Sequence, residues 1–514
     1  MARSGPGGLT RSWRRLRRRS VGAQVGALVV VVVLVVALVF AVTAGSSKKT
    51  PGTQPGTSTP TGGLAAAVKV LDNASTSSRG VTATSINVVF PVSNLTTLAS
   101  NFGFAGDAEF AQQKNAITTF VDAVNANGGI NGRKINPMIE DFDPTNEATM
   151  RAQCLQWTEG NPPVFAVIDG LGSWTGDNQL CITQEGHTPF ISQWSTTTNW
   201  TNQGAPYLWW TGPDQASILS TLVTWAKGAG LIGGSQKLGI VAGDRTSDQV
   251  ALNSYLLPDL ERAGIPTPMI ETIPANASDS ASTGAEAPLI VQRLQAAGVT
   301  AVVPLIPFNA MFPFLQAEAQ QKYTPKLLLS DYEGSIASAL GLIPTPYEAE
   351  LNGQQGITAE TLGGVDGPPS LVGKGGYDTG VANCYKIWHT AHPKPIPGQS
   401  LIHGEVASPY IEEQGPIAGW CQGVELFATA AKKAGRDLTR RSFVEAMANI
   451  KNYQGTYSPT LSYGPDKFAG PDQYQVVEIH NNVPPSSACA LTYQKITQGT
   501  CWKVIQSWKP LGTG

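Results

Sequence analysis

The chain has 514 residues, 41% hydrophobic and 14% charged, with 55 Gly and 36 Pro. That is long enough for two or three domains, too apolar for general disorder, and rich in turns between short elements. Its net charge of −2 hides a split: residues 1–20 carry seven Arg and no acid, which leaves −9 for the remainder, so the basic charge forms one short block rather than the basic face of a nucleic-acid-binding fold.

The Arg block (Arg3, Arg11, Arg14, Arg15, Arg17, Arg18 and Arg19) makes 1–20 a basic cytoplasmic segment. Val21–Ala44 follows without a charge and is dense in Val and Leu. It is long enough to cross a bilayer and longer than the usual core of a signal peptide. Two readings stand: a transmembrane anchor with the rest of the chain outside the cytoplasm, or a long signal peptide cleaved after Ala44, where Val42-Thr43-Ala44 supplies small residues. No Cys adjoins residue 44, so no lipoprotein attachment is expected. Residues 45–80 are mostly Gly, Ser, Thr, Pro and Ala, a composition that predicts a disordered tether.

From Thr84 the pattern turns regular. A β-branched strand at Ser85–Pro91 leads to a helix over Asp107–Asn127, stopped by Gly128-Gly129. Asn131-Gly132 then turns into a strand at Lys134–Asp141, followed by a helix over Asn146–Glu159. A buried strand at Val164–Ile168, a helix near Asp177–Gln184 and strands at Pro189–Ser192 and Tyr207–Thr211 complete a first series. The rhythm restarts with helix Asp214–Gly230, strand Lys237–Ala242, helix Asp248–Ala263, strand Pro268–Ile273, helix Glu286–Ala297, strand Ala301–Leu305, helix Asn309–Gln321 and strand Lys326–Leu329. Helices at Ile417–Ala434 and Arg440–Asn449 come later. Strands alternating with helices predict parallel sheets covered on both faces, in two α/β lobes.

Six Cys lie beyond the apolar segment, in a compartment where disulfides form. Of the 15 pairings that six thiols allow, closeness in sequence favours Cys154 with Cys181, Cys384 with Cys421 and Cys489 with Cys501. No CxxC spacing occurs, so neither a zinc site nor thiol redox chemistry is expected.

Several stretches resemble the type I periplasmic solute-binding proteins of the branched-chain amino-acid receptor kind, which serve ABC transporters. The most specific runs from Val121 to Ile135 and contains Ala126-Asn127-Gly128-Gly129-Ile130-Asn131-Gly132-Arg133, similar to the family's helix-to-strand passage. Val164–Gly172 with Ser173, Gly186–Ser192, Lys237–Val241, Leu294–Val303 and Gly419–Gly435 follow in the family's order, so the resemblance spans about 84–508. It implies two doubly wound parallel-sheet lobes joined by three hinge crossings, with a small molecule held between them. The expected boundaries are 84–211 plus about 356–452 for lobe 1 and 212–355 plus about 453–508 for lobe 2.

Loops after parallel strands converge on the binding crevice of such sheets, so they supply the site candidates. In lobe 1, Ser173 follows the strand at Val164–Ile168 and either meets a ligand carboxylate or caps the next helix. Trp194, Ser195 and Thr196 follow the strand at Pro189–Ser192; the two hydroxyls match the family's pocket loop, while the indole departs from it and forms an apolar wall or closes the pocket. In lobe 2, Arg245 and Asp248 follow the strand at Lys237–Ala242, where Asp248 either contacts ligand or caps the following helix. Asp331, Tyr332 and Glu333 follow the strand at Lys326–Leu329, where the resemblance places an acid against a ligand ammonium; the alternative is that these acids face water.

An enzyme reading finds little support. Gly172-Ser173-Trp174-Thr175-Gly176 is not a nucleophile elbow, no phosphate loop follows a strand, and His389, His392 and His403 lie in a Pro-rich stretch that suits a surface loop better than a metal site. No cofactor, metal or nucleic acid is expected. The expected function is an extracytoplasmic receptor that delivers an amino acid or related polar or aromatic solute to an ABC importer permease. The alternative is a membrane-tethered sensor or interaction module with the same fold and no transport role. Whether transporter permease and ATPase genes neighbour this one separates the two.

Overall fold

The computed structural model describes residues 71–93, 110–143, 146–169, 179–193, 198–276, 279–332, 352–359, 379–394, 411–456, 458–483 and 499–512. The apolar segment Val21–Ala44, the tether as far as residue 70, Ser173, Trp194, Ser195, Thr196 and Cys489 lie outside these. Among the described residues no helix is long and apolar enough to cross a membrane.

The first sheet holds β1 (Ser85–Val92), β2 (Lys134–Asp141), β3 (Ala166–Asp169), β4 (Phe190–Ser192) and β5 (Leu208–Trp210) in the order β2-β1-β3-β4-β5, all parallel. β1 shows why. Ile86, Val88, Phe90 and Val92 enter one core and Val89 the opposite one, so both faces of the strand are apolar and must be covered by helices. The first face is packed by α1 (Phe110–Ala126) and by three helices from late in the chain, α9 (Thr379–Ala391), α10 (Ile411–Lys433) and α11 (Arg440–Ala448). The second face is covered by α2 (Glu147–Glu159) and a π-helical turn at Cys181–Glu185, where a regular helix was expected. A short α3 (Thr198–Gly204) precedes β5.

The segment after α1 accounts for its glycines. Gly128, Gly129, Asn131 and Gly132 all have positive φ, and a Cβ on Gly129 would collide with the Arg133 carbonyl. Arg133 then donates from Nε to the Thr82 carbonyl at 2.7 Å and from Nη1 to the Arg436 carbonyl at 2.8 Å, tying this turn to the end of α10. The passage that carries the resemblance is thus architectural.

The second sheet has seven strands in the order β12-β11-β10-β9-β8-β6-β7. β6 (Leu238–Gly243), β7 (Met269–Ile273), β8 (Ala301–Leu305), β9 (Lys326–Leu329) and β10 (Gln355–Thr358) are parallel, but β11 (Gln473–Val483) and β12 (Gly499–Pro510) form an antiparallel hairpin on β10. The lobe expected to be purely parallel is therefore mixed, since a returning edge hairpin needs no crossover helix. α4 (Gln215–Gly228) packs against one face. Beside it runs a helix that starts as α5 (Thr246–Val250), passes through π-helical Ala251–Leu256 and ends as α6 (Leu257–Arg262). α7 (Ser280–Ala296) and α8 (Phe308–Gln321) pack on one another in the connections between β7, β8 and β9.

Two boundaries differ from the sequence reading. The expected tether ends by Leu71: Ala74 enters the first core, the Ser75 N–H donates to Tyr207 Oη at 2.6 Å, and Ser75 and Ser77 carbonyls accept from the Arg441 and Arg440 amides. Small polar residues hid a segment held by backbone bonds. The return to the second lobe comes at Asp472–Gln473 rather than after Tyr453, because Tyr453, Leu461, Tyr463 and Phe468 still pack in the first core.

Cys154 is bonded to Cys181, fastening α2 to the π-helical turn, and Cys384 to Cys421, fastening α9 to α10. The expected Cys489–Cys501 pair has one partner outside the described residues.

Candidate functional site

The chain passes between the lobes three times, and the passages interlock. At the first, Trp210 ends β5, donating its N–H to the Phe468 carbonyl at 2.8 Å while its own carbonyl accepts from Gly470 N at 3.0 Å and Tyr463 Oη at 3.0 Å. The third passage therefore lies beside the first. It is gathered by Lys467, whose Nζ reaches the carbonyls of Ser462 (2.5 Å), Ala469 (2.7 Å), Gly470 (2.8 Å) and Pro471 (3.4 Å), and Asp472 Oδ1 at 3.2 Å. At the second passage Ala359 donates its N–H to Asp331 Oδ2 at 2.6 Å and accepts from Ser458 Oγ at 2.8 Å.

The structure draws three of the eight expected binding residues into one cluster. Asp248, wholly buried, receives Arg245 Nε on Oδ2 and Nη2 on Oδ1, both at 2.8 Å, and the Tyr332 hydroxyl on Oδ1 at 2.6 Å. Asp248 lies in the first turn of α5, but the N-cap is Arg245 and no side chain caps it, so Asp248 does not serve as the cap. Its carboxylate fits because β6 ends in glycine: a Cβ on Gly243 would collide with Asp248 Oδ2. Of the three, Arg245 reaches furthest out, its side chain 15% exposed.

Asp331 sits apart from that cluster, held by the Ala359 N–H and the Thr358 side chain at the second passage. Burial pushes its carboxyl up to about 7 against the lowering effect of those two hydrogen bonds. Ser173, Trp194, Ser195, Thr196 and Glu333 lie outside the described residues.

Other polar and aromatic residues of the two lobes have structural partners. Asn309 Nδ2 donates to the Ala275 carbonyl at 3.2 Å. His392 lies within 2.9 Å of Thr119 Oγ1 and packs its ring on Trp388. Trp209 and Trp210 are core residues of opposite faces. Among the described residues no cluster of His, Cys, Asp or Glu is arranged to hold a metal ion.

The lobes also meet directly. Tyr255, in the second lobe, hydrogen bonds Thr198 at the start of α3, and Thr198 Oγ1 donates to Asp214 at 2.6 Å, the residue that caps α4. Sequence reasoning missed two buried polar residues at the end of β4, Ser192 and Gln193, and a third, Ser247, in the first turn of α5. For the first two the available signal was a polar residue closing an otherwise apolar strand.

Residues 94–379 match the family model described as periplasmic binding protein. The fold is similar to an ABC transporter substrate-binding protein from Desulfitobacterium hafniense in complex with Leu, at 14% identity over 77% of this chain and 97% of that one, TM-score 0.53. It is also similar to a fatty acid ABC transporter substrate-binding protein from Thermomonospora curvata, at 18% identity over 84% and 93%, TM-score 0.56. A third similar structure is an ABC transporter solute-binding protein from Rhodopseudomonas palustris BisB5 in complex with 3,4-dihydroxy benzoic acid, at 14% identity over 84% and 98%, TM-score 0.55. No curated protein matches the sequence.

Proposed function

Because the chain belongs to the type I periplasmic binding protein family, a family of transporter solute receptors rather than enzymes, we propose that it captures a small polar or aromatic solute between its two lobes, outside the cytoplasm, for an ABC importer. The observation that carries this reading is the set of three interlocked passages between two sheets whose strands end in polar groups: Asp331, Ser192 and the Arg245–Asp248–Tyr332 cluster all stand at carboxyl ends of strands. Such ends form the ligand crevice in open α/β sheets. Solved structures of similar fold hold Leu and 3,4-dihydroxy benzoic acid, which supports a search centred on amino acids and aromatic acids.

In this reading Ser195 and Thr196 hydrogen bond the solute, Trp194 forms an apolar wall, Ser173 meets an acidic group, and lobe 2 supplies Arg245, Asp248, Asp331 and Tyr332. The Arg block and Val21–Ala44 support either anchoring with the folded part outside or secretion after cleavage. N-terminal sequencing of the mature protein separates them, a start just after Ala44 meaning release.

The function is tested by a thermal-shift screen of the purified protein over amino acids, amides, short peptides, sugars and aromatic acids, followed by calorimetry. A receptor shows a melting-temperature rise with at least one class and one-to-one binding. Once a solute is found, Trp194→Ala should weaken it by well over tenfold, as for a central contact costing about 2 kcal/mol or more. A protein silent to every class, under conditions where it is folded, overturns the receptor reading.

A further inference from the structure

Thr198 opens α3, a helix whose other end is built into the first lobe. There Thr201 and Gly204 are buried, the Gly204 carbonyl accepts from Tyr207 N at 2.9 Å, and a Cβ on Gly204 would collide with the Leu208 side chain. The Thr198 hydroxyl turns the other way. It donates to Asp214 Oδ1 at 2.6 Å, accepts from the Ala216 N–H at 3.1 Å, and hydrogen bonds Tyr255. A hydroxyl has one proton and two lone pairs, so with its proton on Asp214 the Tyr255 hydroxyl is the remaining donor and the group is saturated. All three partners belong to the second lobe.

Each partner is fixed there. The other oxygen of Asp214, Oδ2, caps α4 by accepting from Ser217 N at 3.0 Å and Ser217 Oγ at 3.1 Å, and Ala216 lies in the first turn of that helix. Tyr255 packs against the second core from the π-helical segment Ala251–Leu256. Such π-helical turns recur at functional positions. The same continuous helix starts with Arg245 and Asp248, the pair that meets Tyr332, so one element carries that cluster at its start and the contact with the first lobe midway. The three passages are backbone, which a rotation between the lobes can bend. The Thr198 contact is side chain to side chain, and it must break for α3 and the second lobe to part.

We propose that Tyr255, Thr198 and Asp214 form a clasp that holds the two lobes together in the ligand-free protein. This goes beyond the receptor reading, which asks only for a crevice, and adds that the chain itself favours closure. The bond to the Asp214 carboxylate is charge-assisted and stronger than one between neutral groups. A solute then enters only those molecules whose clasp is open, and its association is slowed by that fraction. Release waits on the same contact.

The test reads the ligand-free full chain by single-molecule energy transfer. Fluorophores sit on noncanonical residues in place of exposed Asp122 on α1 and exposed Glu261 on α6, which leaves the native disulfides intact. Wild type should show mostly the short, clasped distance. Tyr255→Phe keeps the ring in the core and loses only the hydroxyl; it should raise the ratio of parted to clasped molecules by about three- to tenfold, the worth of one hydrogen bond. Thr198→Val removes all three bonds with little change of shape and should raise the ratio by more than about tenfold, whereas Thr198→Ser should keep the wild-type distribution. A local role for Thr198 would loosen α3 without moving the labels apart. Distances unchanged or shortened in Tyr255→Phe and Thr198→Val, with circular dichroism showing both folded, overturn the proposal, as does a wild type already parted in most molecules. If Thr198→Val does not fold, Tyr255→Phe decides alone. No solute enters the measurement, so its failure leaves the receptor reading standing, and a silent solute screen leaves the clasp.

Discussion

Replacing Arg245 with Met keeps the length of the side chain and removes its charge, which leaves the wholly buried Asp248 carboxylate with the Tyr332 hydroxyl as its described partner. Breaking a buried ion pair from one side costs about 3–5 kcal/mol, because the remaining charge stays desolvated and uncompensated. Arg245 keeps some access to water, so the lower end applies, about 3 kcal/mol. Asp248→Asn should cost less, about 1–2 kcal/mol, since the Arg245 guanidinium lies nearer the surface and an amide oxygen still accepts one bond. The double variant Arg245→Met with Asp248→Leu removes both charges and should cost clearly less than the sum of the single changes. Urea unfolding of the ligand-free protein measures all three, followed by both tryptophan fluorescence and far-UV circular dichroism, because a two-lobed chain need not unfold in one step. Single variants that each cost under about 1 kcal/mol and add without coupling would refute the view that this cluster is a tightly paired buried unit.

Three further outcomes are expected. Asp331 titrates near 7 in the folded protein against about 3.9 unfolded, so the folded state holds the extra proton between these values; its stabilising contribution is complete below about pH 4 and is lost as pH rises through 7. Asp331→Asn should flatten that decline in a pH series of melts, and identical slopes for the two proteins would contradict it. Lys467→Met deprives four carbonyls of one ammonium and should cost about 2–3 kcal/mol, with Lys467→Arg a poor rescue because a planar fork does not fit a compact cage; hydrogen exchange should speed up first in 462–472, and unchanged protection there would refute it. Replacing Cys384 and Cys421 by Ser opens a loop spanning a separation of 37 residues, for which chain entropy gives about 4 kcal/mol, and a melting temperature that does not fall would count against a bond that stabilises the α9–α10 pair.

Much of the fold was legible because its signal is local. Alternating faces on β1, the glycine turn after α1 and the apolar runs at β3, β6 and β8 state their own conformation within a few residues. What escaped depends on partners far away in sequence. β11 and β12 are strands by virtue of β10, which itself is four residues long and carries a weak pattern. Residues 71–80 look like linker until Tyr207 and the start of α11 supply their hydrogen bonds.

The same division runs through the site. Proximity to a strand end placed Arg245 and Asp248 after β6 and Asp331 and Tyr332 after β9, yet it could not say what each side chain would touch. Asp248 and Asp331 are both acids after parallel strands, but their surroundings make them opposites. Asp248 has a guanidinium and a phenol on its oxygens. Asp331 has an amide N–H and a hydroxyl, neutral donors too weak to offset burial, so its carboxyl rises to about 7. A cationic solute group placed beside Asp331 would restore its charge, whereas at Asp248 it would have to displace Arg245 from two 2.8 Å bonds. Of the two acids expected to meet the solute, Asp331 is therefore the one with electrostatic reason to respond to it, and because it also holds Ala359 at the second passage, any such response acts where the lobes are joined.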